Sequence, residues 1–450
     1  MAEILVAFLY LIFLGLITYF GKVYRLSGIP RPALTITFLL KTLLAIFLPL
    51  ALQWDEQDKL MQNAQMLYAE SAELYNLAFV NPEDFFRLFL GWHSESPYYD
   101  YVVGNMQHWQ KFGEDFHMLG PTDRNMIRFH TFFRFLSFNS EPAHLILFNF
   151  IAVTGLLLIF KSLPSSKPFW LFAALFFIPS VFIWSSGFAW VSLVLFFAGW
   201  VLLSAGRIFI SGFYFRAAPG LFLAMVGLSI TFPAFALSLL LAAICVLLHS
   251  GIRELNSRAA KFVIAVLVLF AFRLVDQFLL DGFFSEAIIS GQHTSLRHLN
   301  DSGLATGIQS QELRNTWWSF LRNAPEALFN AVFRPGILDA SGTFQWLSAI
   351  ESAAMFILAA IAIGMPARKL RISEQNMVYL LTIVFIFTSL FIGLGTQIWK
   401  DISLRRAAIL PCAAFAWVII TDTGRLKAIL FEILNIHGNN SNNGSDIRDR

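Results

Sequence analysis

Residues 143–160 read AHLILFNFIAVTGLLLIF, eighteen positions without Asp, Glu, Lys or Arg. A helix needs roughly 17 to 25 such residues to cross the hydrocarbon layer of a bilayer. Segments of this kind recur along the chain, and the predicted spans are 3–20, 33–53, 143–160, 168–184, 187–204, 212–229, 233–249, 261–280, 346–365, 376–394 and 407–421. The sequence therefore predicts an all-α polytopic membrane protein with about 11 transmembrane helices.

The composition excludes most other classes of protein. Of the 450 residues, 57% are hydrophobic and only 14% are charged, and the mean hydropathy is +0.64. Soluble domains carry about 25% charged residues. Soluble globules, disordered or fibrous chains and nucleic-acid-binding proteins are thus excluded. Cys245 and Cys412 lie inside apolar runs, which argues against a disulfide framework or a cysteine metal site.

The distribution of basic residues predicts the topology, because Lys and Arg concentrate in cytoplasmic loops. With the N-terminus outside, every short basic loop falls on one side, whereas the segment 54–124 holds twelve Asp or Glu against four Lys or Arg. Two long extracytoplasmic loops are expected, at about 54–124 and 281–345, within one integral membrane domain, 1–421. The tail 422–450 is expected to be a cytoplasmic amphipathic segment with a disordered end. The first apolar run is interpreted as a retained helix, since Lys22 and Arg25 follow it.

Both long loops carry helical patterning. Apolar residues from Leu60 to Leu74 recur at spacings near 3.6, and the run NMIRFHTFFRFLSF, 125–138, predicts an amphipathic helix. In the second loop, TWWSFLRNAPEALFNAVFRP mixes Trp and Phe with Arg, as a helix at the membrane interface would.

The acidic run Asp55, Glu56 and Asp58 follows the second span directly. Crowded carboxylates repel one another, which raises the pKa of at least one of them. Such a group could accept a proton from a sugar hydroxyl, or Asp55 and Glu56 could bind a divalent cation such as Mg²⁺ or Mn²⁺. The alternative is that these acids only cap the span and face water.

Cations near membrane depth form a second set of candidates. They are Arg128, Arg334, Lys400, Arg405 and Arg406. Guanidinium groups bind phosphate oxygens in a bidentate fork, which would suit a lipid-linked phosphate. The Arg405–Arg406 pair could equally anchor a helix at headgroup level. Arg273 and Asp276, three residues apart in an apolar stretch, are expected to form a structural pair.

Several catalytic signatures are missing from the sequence. No H-x-x-x-H or H-E-x-x-H spacing occurs, which argues against zinc chemistry. There is no P-loop, no Rossmann glycine fingerprint and no G-x-S-x-G elbow. Nucleotide hydrolysis is therefore not expected.

Four stretches resemble a group of bacterial membrane proteins within the GT-C superfamily of glycosyltransferases. They are NMIRFHTFFRFLSF with HLILFNFIAVTGLLLIF; IPSVFIWSSG; VFRP with QWLSAIE, ending at Glu351; and FIGLGTQIWKDISLRRAAILP. Asp55-Glu56 lies where that superfamily carries its acidic motif. The resemblance implies a multi-pass protein of a bacterial inner membrane. It would transfer a sugar from a polyprenyl-phosphate donor to an extracytoplasmic glycan, lipid or protein acceptor, with Asp55 as general base and the arginines holding the lipid phosphate.

The chain departs from that pattern at two turns. After W-S-S-G the group commonly carries a His-Lys-acid triplet, and this chain has Phe188, Ala189 and Trp190. The next turn, Thr231-Phe232-Pro233, lacks the usual basic residue. Two hypotheses therefore compete with an active enzyme. One is a catalytically degenerate scaffold that binds a lipid carrier or an envelope-assembly partner, and the other, less favoured, is a transporter or flippase.

Overall fold

The computed structural model describes residues 2–52, 59–92, 96–109, 117–163, 167–212, 218–251, 257–302, 307–308, 311–340, 343–367, 370–429 and 431–432. Within these ranges the regular structure is helical. The α-helices are α1 Ala2–Phe20, α2 Arg31–Leu52, α3 Lys59–Val80, α4 Pro82–Leu90, α5 Pro97–Asn105, α6 Asp123–Leu136, α7 Glu141–Lys161, α8 Pro168–Phe176, α9 Pro179–Trp184, α10 Val191–Ser211, α11 Ala218–Thr231, α12 Pro233–Gly251, α13 Arg258–Leu279, α14 Phe283–Ser302, α15 Trp317–Phe333, α16 Thr343–Gly364, α17 Ile372–Gly395 and α18 Trp399–Ile420.

Eight helices in the described part of the chain are long and apolar enough to cross a membrane. They are α1, α7, α10, α12, α13, α16, α17 and α18. The protein is therefore an all-α polytopic membrane protein, as the sequence predicts. The other three predicted spans correspond to α2, to the pair α8–α9 and to the short helix α11.

The predicted span 168–184 is broken into two helices. α8 ends at Phe176 and α9 begins at Pro179, with Phe177 and Ile178 between them. Proline cannot donate an intrahelical hydrogen bond and disfavours helical backbone in the residue before it. The break places the six-residue α9 and the turn after it inside the protein, against α2, α16 and α18.

Hydrogen bonds connect separate segments of the chain at each of the two ends of the helix bundle. At one end, Lys167 Nζ donates to Val418 O and Ile419 O at 3.1 and 3.0 Å, and Tyr379 Oη donates to Lys261 O at 2.7 Å. At the other end, Ala234 N donates to Met118 O at 2.8 Å, and Ile308 N donates to Gln397 O at 2.9 Å. Each of these contacts joins chain segments that the charge pattern predicts on the same side of the membrane.

Glycines allow α7 and α10 to pack closely. A Cβ on Gly206 would lie 1.7 Å from Ser162 O, and one on Gly155 would lie 2.4 Å from Leu195 C. Small residues let helix backbones approach each other in membranes, where no hydrophobic effect drives helices together. These glycines therefore keep the C-terminal half of α7 in close contact with α10. α8 and α9 connect the two helices.

The first long loop folds into a separate apolar cluster. α3 packs on α6 and α4, and its buried Leu67, Leu74 and Leu77 belong to one apolar cluster with Phe85 and Ile127. The helical patterning predicted in this loop is thus present where the structure describes it. In the second loop, α15 packs against α17, α16 and α18.

Candidate functional site

A buried ion pair joins α16 to α18. Arg406 Nη2 lies 3.5 Å from Glu351 Oε1, with only 2% and 3% of the two side chains exposed. Arg406 Nη1 also donates to Val332 O, Arg334 O and Ser352 Oγ at 3.1, 3.0 and 2.9 Å. Arg406 thus fixes the C-terminal end of α15 against two spanning helices, and most of its donors are already used.

The carboxylate of Glu351 has one committed oxygen and one open oxygen. Oε2 accepts a hydrogen bond from Ser180 N, near the start of α9, at 2.6 Å. Oε1 has no hydrogen-bond donor in the structure, although Arg406 lies near it. Buried polar atoms are nearly always hydrogen-bonded, so an unsatisfied one indicates a place for a ligand or water.

A small pocket of about 30 Å³ lies beside this carboxylate. That volume holds a water molecule or two, because a water needs roughly 10–15 Å³ on this measure. Polar groups and two indole rings face it: Gln345, Ser348, Glu351, Lys400, Ser403, Trp184 and Trp399. Ser348 Oγ and Ser403 Oγ lie 2.8 Å apart and connect its two walls. The pocket therefore offers an acid, a cation and hydroxyl groups within one apolar bundle.

The predicted phosphate-binding cations differ in their distance from this pocket. Lys400 lines it, and Arg334 flanks it with its guanidinium 5.8 Å from the ring of Trp399. Arg334 is more than one third exposed and lies 3.8 Å from Asp339. These two cations, with the buried Arg406, form the positive side of the site.

Arg405 and Arg128 have other partners. Arg405 Nε donates to Leu119 O at 2.9 Å, and its Nη1 lies 3.4 Å from Asp401 Oδ2. Arg128 Nε donates to Leu88 O at 3.3 Å, and its guanidinium lies 4.9 Å from the ring of Trp109. Arg128 therefore belongs to the loop cluster and stabilises the C-terminal end of α4.

The predicted catalytic acids Asp55, Glu56 and Asp58 lie outside the described residues. So does the proposed pair of metal ligands, Asp55 and Glu56. Within the described ranges, no group of three His, Cys, Asp or Glu side chains is placed to hold a metal ion. α2, the helix that precedes these acids, ends at Leu52, which is the last described residue before them.

Lys41 is a candidate residue that the sequence reasoning missed. Its side chain is fully buried, and Nζ donates to Phe182 O, Ser185 Oγ and Ser186 Oγ at 3.0, 2.8 and 3.0 Å. The two serines belong to the W-S-S-G turn at the end of α9 and Phe182 lies in α9 itself, whereas the Glu351 contact is at the start of that helix. A single lysine in the run LLKTLL was the available signal, because a charged residue at membrane depth normally has a partner or a function.

The positions at which the resemblance would lead one to expect polar residues form apolar packing here. Phe188 is buried and stacks on Tyr68 with ring centroids 4.5 Å apart. Trp190 meets Phe232 edge to face at 5.3 Å, and Ala189 is buried. Lys41 places an amine beside the same turn from a different helix.

A histidine pair lies under the first loop. His130 Nδ1 and His144 Nε2 are 3.1 Å apart, and Ser137 Oγ is 3.4 Å from His144 Nδ1. Burial, and then the charge of Arg134, lower the pKa of His130 to about 3. Both rings are thus held among aromatic side chains, and the pair packs α6 onto α7.

Comparisons of the chain with protein families, with characterised proteins and with solved structures find no match in any of the three. The class that the fold defines is therefore that of the polytopic α-helical membrane proteins. The activity has to be argued from the site itself.

Proposed function

We propose that this protein is a membrane-embedded glycosyltransferase of the GT-C type. Its donor is a sugar linked to a polyprenyl phosphate, and its acceptor is an extracytoplasmic glycan, lipid or protein. One observation carries the proposal. Three of the stretches that resemble the GT-C group, distant in sequence, meet at a single pocket beside Glu351.

The meeting of these stretches is specific. IPSVFIWSSG contributes Ser180 and Trp184, and the FRP and QWLSAIE stretches contribute Pro335 and Glu351. The fourth stretch contributes Trp399, Lys400 and Ser403 from its IWKDIS run. A spanning bundle held together by packing alone would not need an acid, a lysine and several hydroxyls at one point, because polar groups at membrane depth are costly.

The chemistry follows from the charges around the pocket. Lys400 and Arg334 hold the phosphate of the donor, and these cations stabilise the negative charge that develops on it as it departs. The pocket is too small for a sugar ring, so the ring lies at its mouth and a single sugar hydroxyl donates a hydrogen bond to the open oxygen of Glu351. Asp55, beyond the end of α2, removes the proton from the acceptor hydroxyl as that oxygen attacks the anomeric carbon. The configuration at that carbon is inverted.

A second candidate function is supported by the apolar turns. Phe188, Ala189 and Phe232 are buried where the resembled group is polar. A degenerate scaffold would keep the lipid-carrier site and lose transfer. It would bind the donor without consuming it.

Purified full-length protein, incubated with a panel of polyprenyl-phosphate-linked sugars and with a membrane extract that supplies glycan, lipid and protein acceptors, tests both candidates. The enzyme predicts release of polyprenyl phosphate from at least one donor, and loss of that release in Asp55→Asn with normal expression. Normal release by Asp55→Asn removes Asp55 as the base. Saturable donor binding without release favours the scaffold, and neither binding nor release contradicts both.

The orientation is part of the proposal, with the N-terminus extracytoplasmic, the C-terminus cytoplasmic and the chain in a bacterial inner membrane. The positive-inside pattern supports it. Single cysteines at the exposed positions Ser27 and Asp100, in a chain without Cys245 and Cys412, test it. An impermeant thiol reagent added outside intact cells should label position 100 and spare position 27. The reverse pattern contradicts the orientation.

A further inference from the structure

A second cavity, of about 590 Å³, lies between α13, α14, α15 and α17. It shares no lining residue with the pocket beside Glu351. Aromatic and aliphatic side chains form nearly all of its wall, among them Phe270, Phe278, Phe320 and Phe391. Its size is within the range of cavities that enclose small organic ligands.

The cavity opens toward the lipid. Phe278 on α13 and Trp318 on α15 each leave 71% of their surface exposed, and Leu321 leaves 65%. α13 is one of the helices long and apolar enough to cross a membrane. An acyl chain can therefore enter from the side without crossing water.

One charged side chain lines this apolar cavity, and its donors are not all satisfied. Arg273 is only 9% exposed, and its Nε and Nη1 have no hydrogen-bond partner. Its Nη2 donates to Asn315 Oδ1 at 2.7 Å. The guanidinium lies 5.5 Å from the ring of Trp317 and 5.3 Å from that of Phe320.

Asp276 lies beside the same guanidinium, but its hydrogen bonds are to the first turn of α14. Its Oδ2 lies 3.6 Å from Arg273 Nη1, beyond hydrogen-bond distance. Its Oδ1 accepts from Phe284 N at 2.9 Å, and Oδ2 accepts from Ser285 N at 3.1 Å and from Ser285 Oγ. The predicted Arg273–Asp276 pair is thus present, and the carboxylate chiefly caps α14. Nε therefore has no partner and Nη1 has only this longer ion pair, so both nitrogens can donate to an anion.

The depth of Arg273 suits a lipid headgroup. It lies six residues before Leu279, the end of α13. At a rise of ~1.5 Å per residue that is about 9 Å of helix. In a hydrocarbon layer of about 30 Å this position is within one leaflet, below the headgroup boundary, and a charged side chain there draws a lipid phosphate toward it by local thinning of the bilayer.

We infer that this cavity binds one anionic glycerophospholipid of the surrounding leaflet. Its phosphate lies on Arg273, and one acyl chain lies in the aromatic wall between α13 and α15. The binding does not depend on glycosyl transfer. α15 runs from this cavity to the carbonyl groups that Arg406 holds, so an occupied cavity also fixes the helix that borders the Glu351 pocket.

The test uses the full chain in phosphatidylcholine nanodiscs that contain phosphatidylglycerol with a photoreactive acyl chain. Cross-linked peptides are mapped by mass spectrometry. Labelling of residues 266–278 and 317–324 is expected, with competition by unlabelled phosphatidylglycerol and none by inorganic phosphate. Equal labelling by a photoreactive phosphatidylcholine overturns the headgroup assignment. Competition by polyprenyl phosphate at far lower concentration overturns the assignment to a glycerophospholipid.

Variants test separately how the charge of Arg273 and the space in the cavity contribute to lipid binding. Arg273→Gln should lower labelling by the anionic lipid about tenfold, since a hydrogen bond to a charged group is lost. Arg322→Gln, which removes an exposed cation from the same end of α15, should leave labelling unchanged. Ala324→Phe fills the cavity and should abolish labelling even if Arg273→Gln does not fold. Full labelling of Ala324→Phe, or equal losses in the two arginine variants, contradicts the proposal.

Discussion

Arg406 Nη2 lies 3.5 Å from Glu351 Oε1 inside the helix bundle, and neither side chain reaches the surface. Two buried charges in contact are costly to bring out of water, so each depends on the other and on the hydrogen bonds around them. Here both guanidinium Nη atoms of the arginine have backbone or serine acceptors and only its Nε has none, whereas one of the two oxygens of the acid is open. The pair therefore divides into a structural cation and an acid that is available to a ligand.

Arg406→Leu should destabilise the protein by about 3–5 kcal/mol, because it leaves a buried, unpaired carboxylate. Arg405→Leu is the matched control, since it removes one backbone hydrogen bond and a partly exposed pair with Asp401 and should cost only about 1–2 kcal/mol. Unfolding in detergent, followed by circular dichroism, measures both. Equal losses in the two variants would show that Arg406 has no special structural role.

Close packing of α7 on α10 predicts a large effect of a single methyl group. Gly206→Ala places a Cβ 1.7 Å from Ser162 O, so the helices have to separate, at a cost of about 1–3 kcal/mol. Gly15→Ala in α1 meets nothing within 4 Å and should gain about 0.5–1 kcal/mol from helix propensity. Thermal unfolding of the two variants compares them. An unchanged midpoint for Gly206→Ala contradicts the packing.

His130 predicts a pH dependence of stability. Its pKa is lowered to about 3 from an ordinary value of 6.5, so the unfolded chain binds a proton that the folded protein does not. Stability from this group is present above pH 6.5 and is lost as the pH falls toward 3, at about 1.4 kcal/mol per pH unit.

His130→Phe should reduce that slope by about one proton. Phe148→Leu disturbs the same ring stack without removing a titratable group, and it should lower stability at every pH while keeping the slope. Denaturant titrations between pH 7 and pH 4 provide the measurement. A slope unchanged by His130→Phe contradicts the assignment.

Substitution of Lys41 should change activity without changing stability. Its amine has three acceptors and no carboxylate within ion-pair distance among the described residues. Replacing Lys41 leaves no buried charge unpaired, and Ser185 Oγ and Ser186 Oγ keep their own hydrogen bonds to Val181 O and Phe182 O. Lys41→Met should therefore keep the unfolding temperature and, if the amine serves the W-S-S-G turn at the site, lower transfer. Thr37→Val on the same helix is the control, and a matching loss of activity there would remove any specific role of Lys41.

The sequence predicted the helical membrane class and the position of most long helices, because apolar runs of this length are typical of transmembrane helices. It misplaced the start of the last span at 407, whereas α18 begins at Trp399. Lys400, Arg405 and Arg406 lower the mean hydropathy at the start of α18, so the predicted span begins after them. In the structure these cations contact protein groups and not lipid. A hydropathy pattern cannot show which charges have partners.

The candidate site was harder to predict for a similar reason. Glu351 ends a stretch that resembles the GT-C group, but its contact with Ser180 spans 171 residues of sequence. Lys41 reaches the W-S-S-G turn across 144 residues. Such contacts depend on how the helices pack, and periodicity along one helix contains no information about them. The acids Asp55, Glu56 and Asp58 stay a prediction.

Release of polyprenyl phosphate from a radiolabelled lipid-linked sugar, measured with the acceptor-supplying membrane extract, decides whether the Glu351 pocket serves glycosyl transfer. The wild-type protein should release it, and Glu351→Gln should lower the rate about tenfold or more, since a charge-assisted contact to the sugar is lost. Glu326→Gln, on the exposed face of α15, should keep the wild-type rate. A wild-type rate in Glu351→Gln, with the protein folded, would contradict the account.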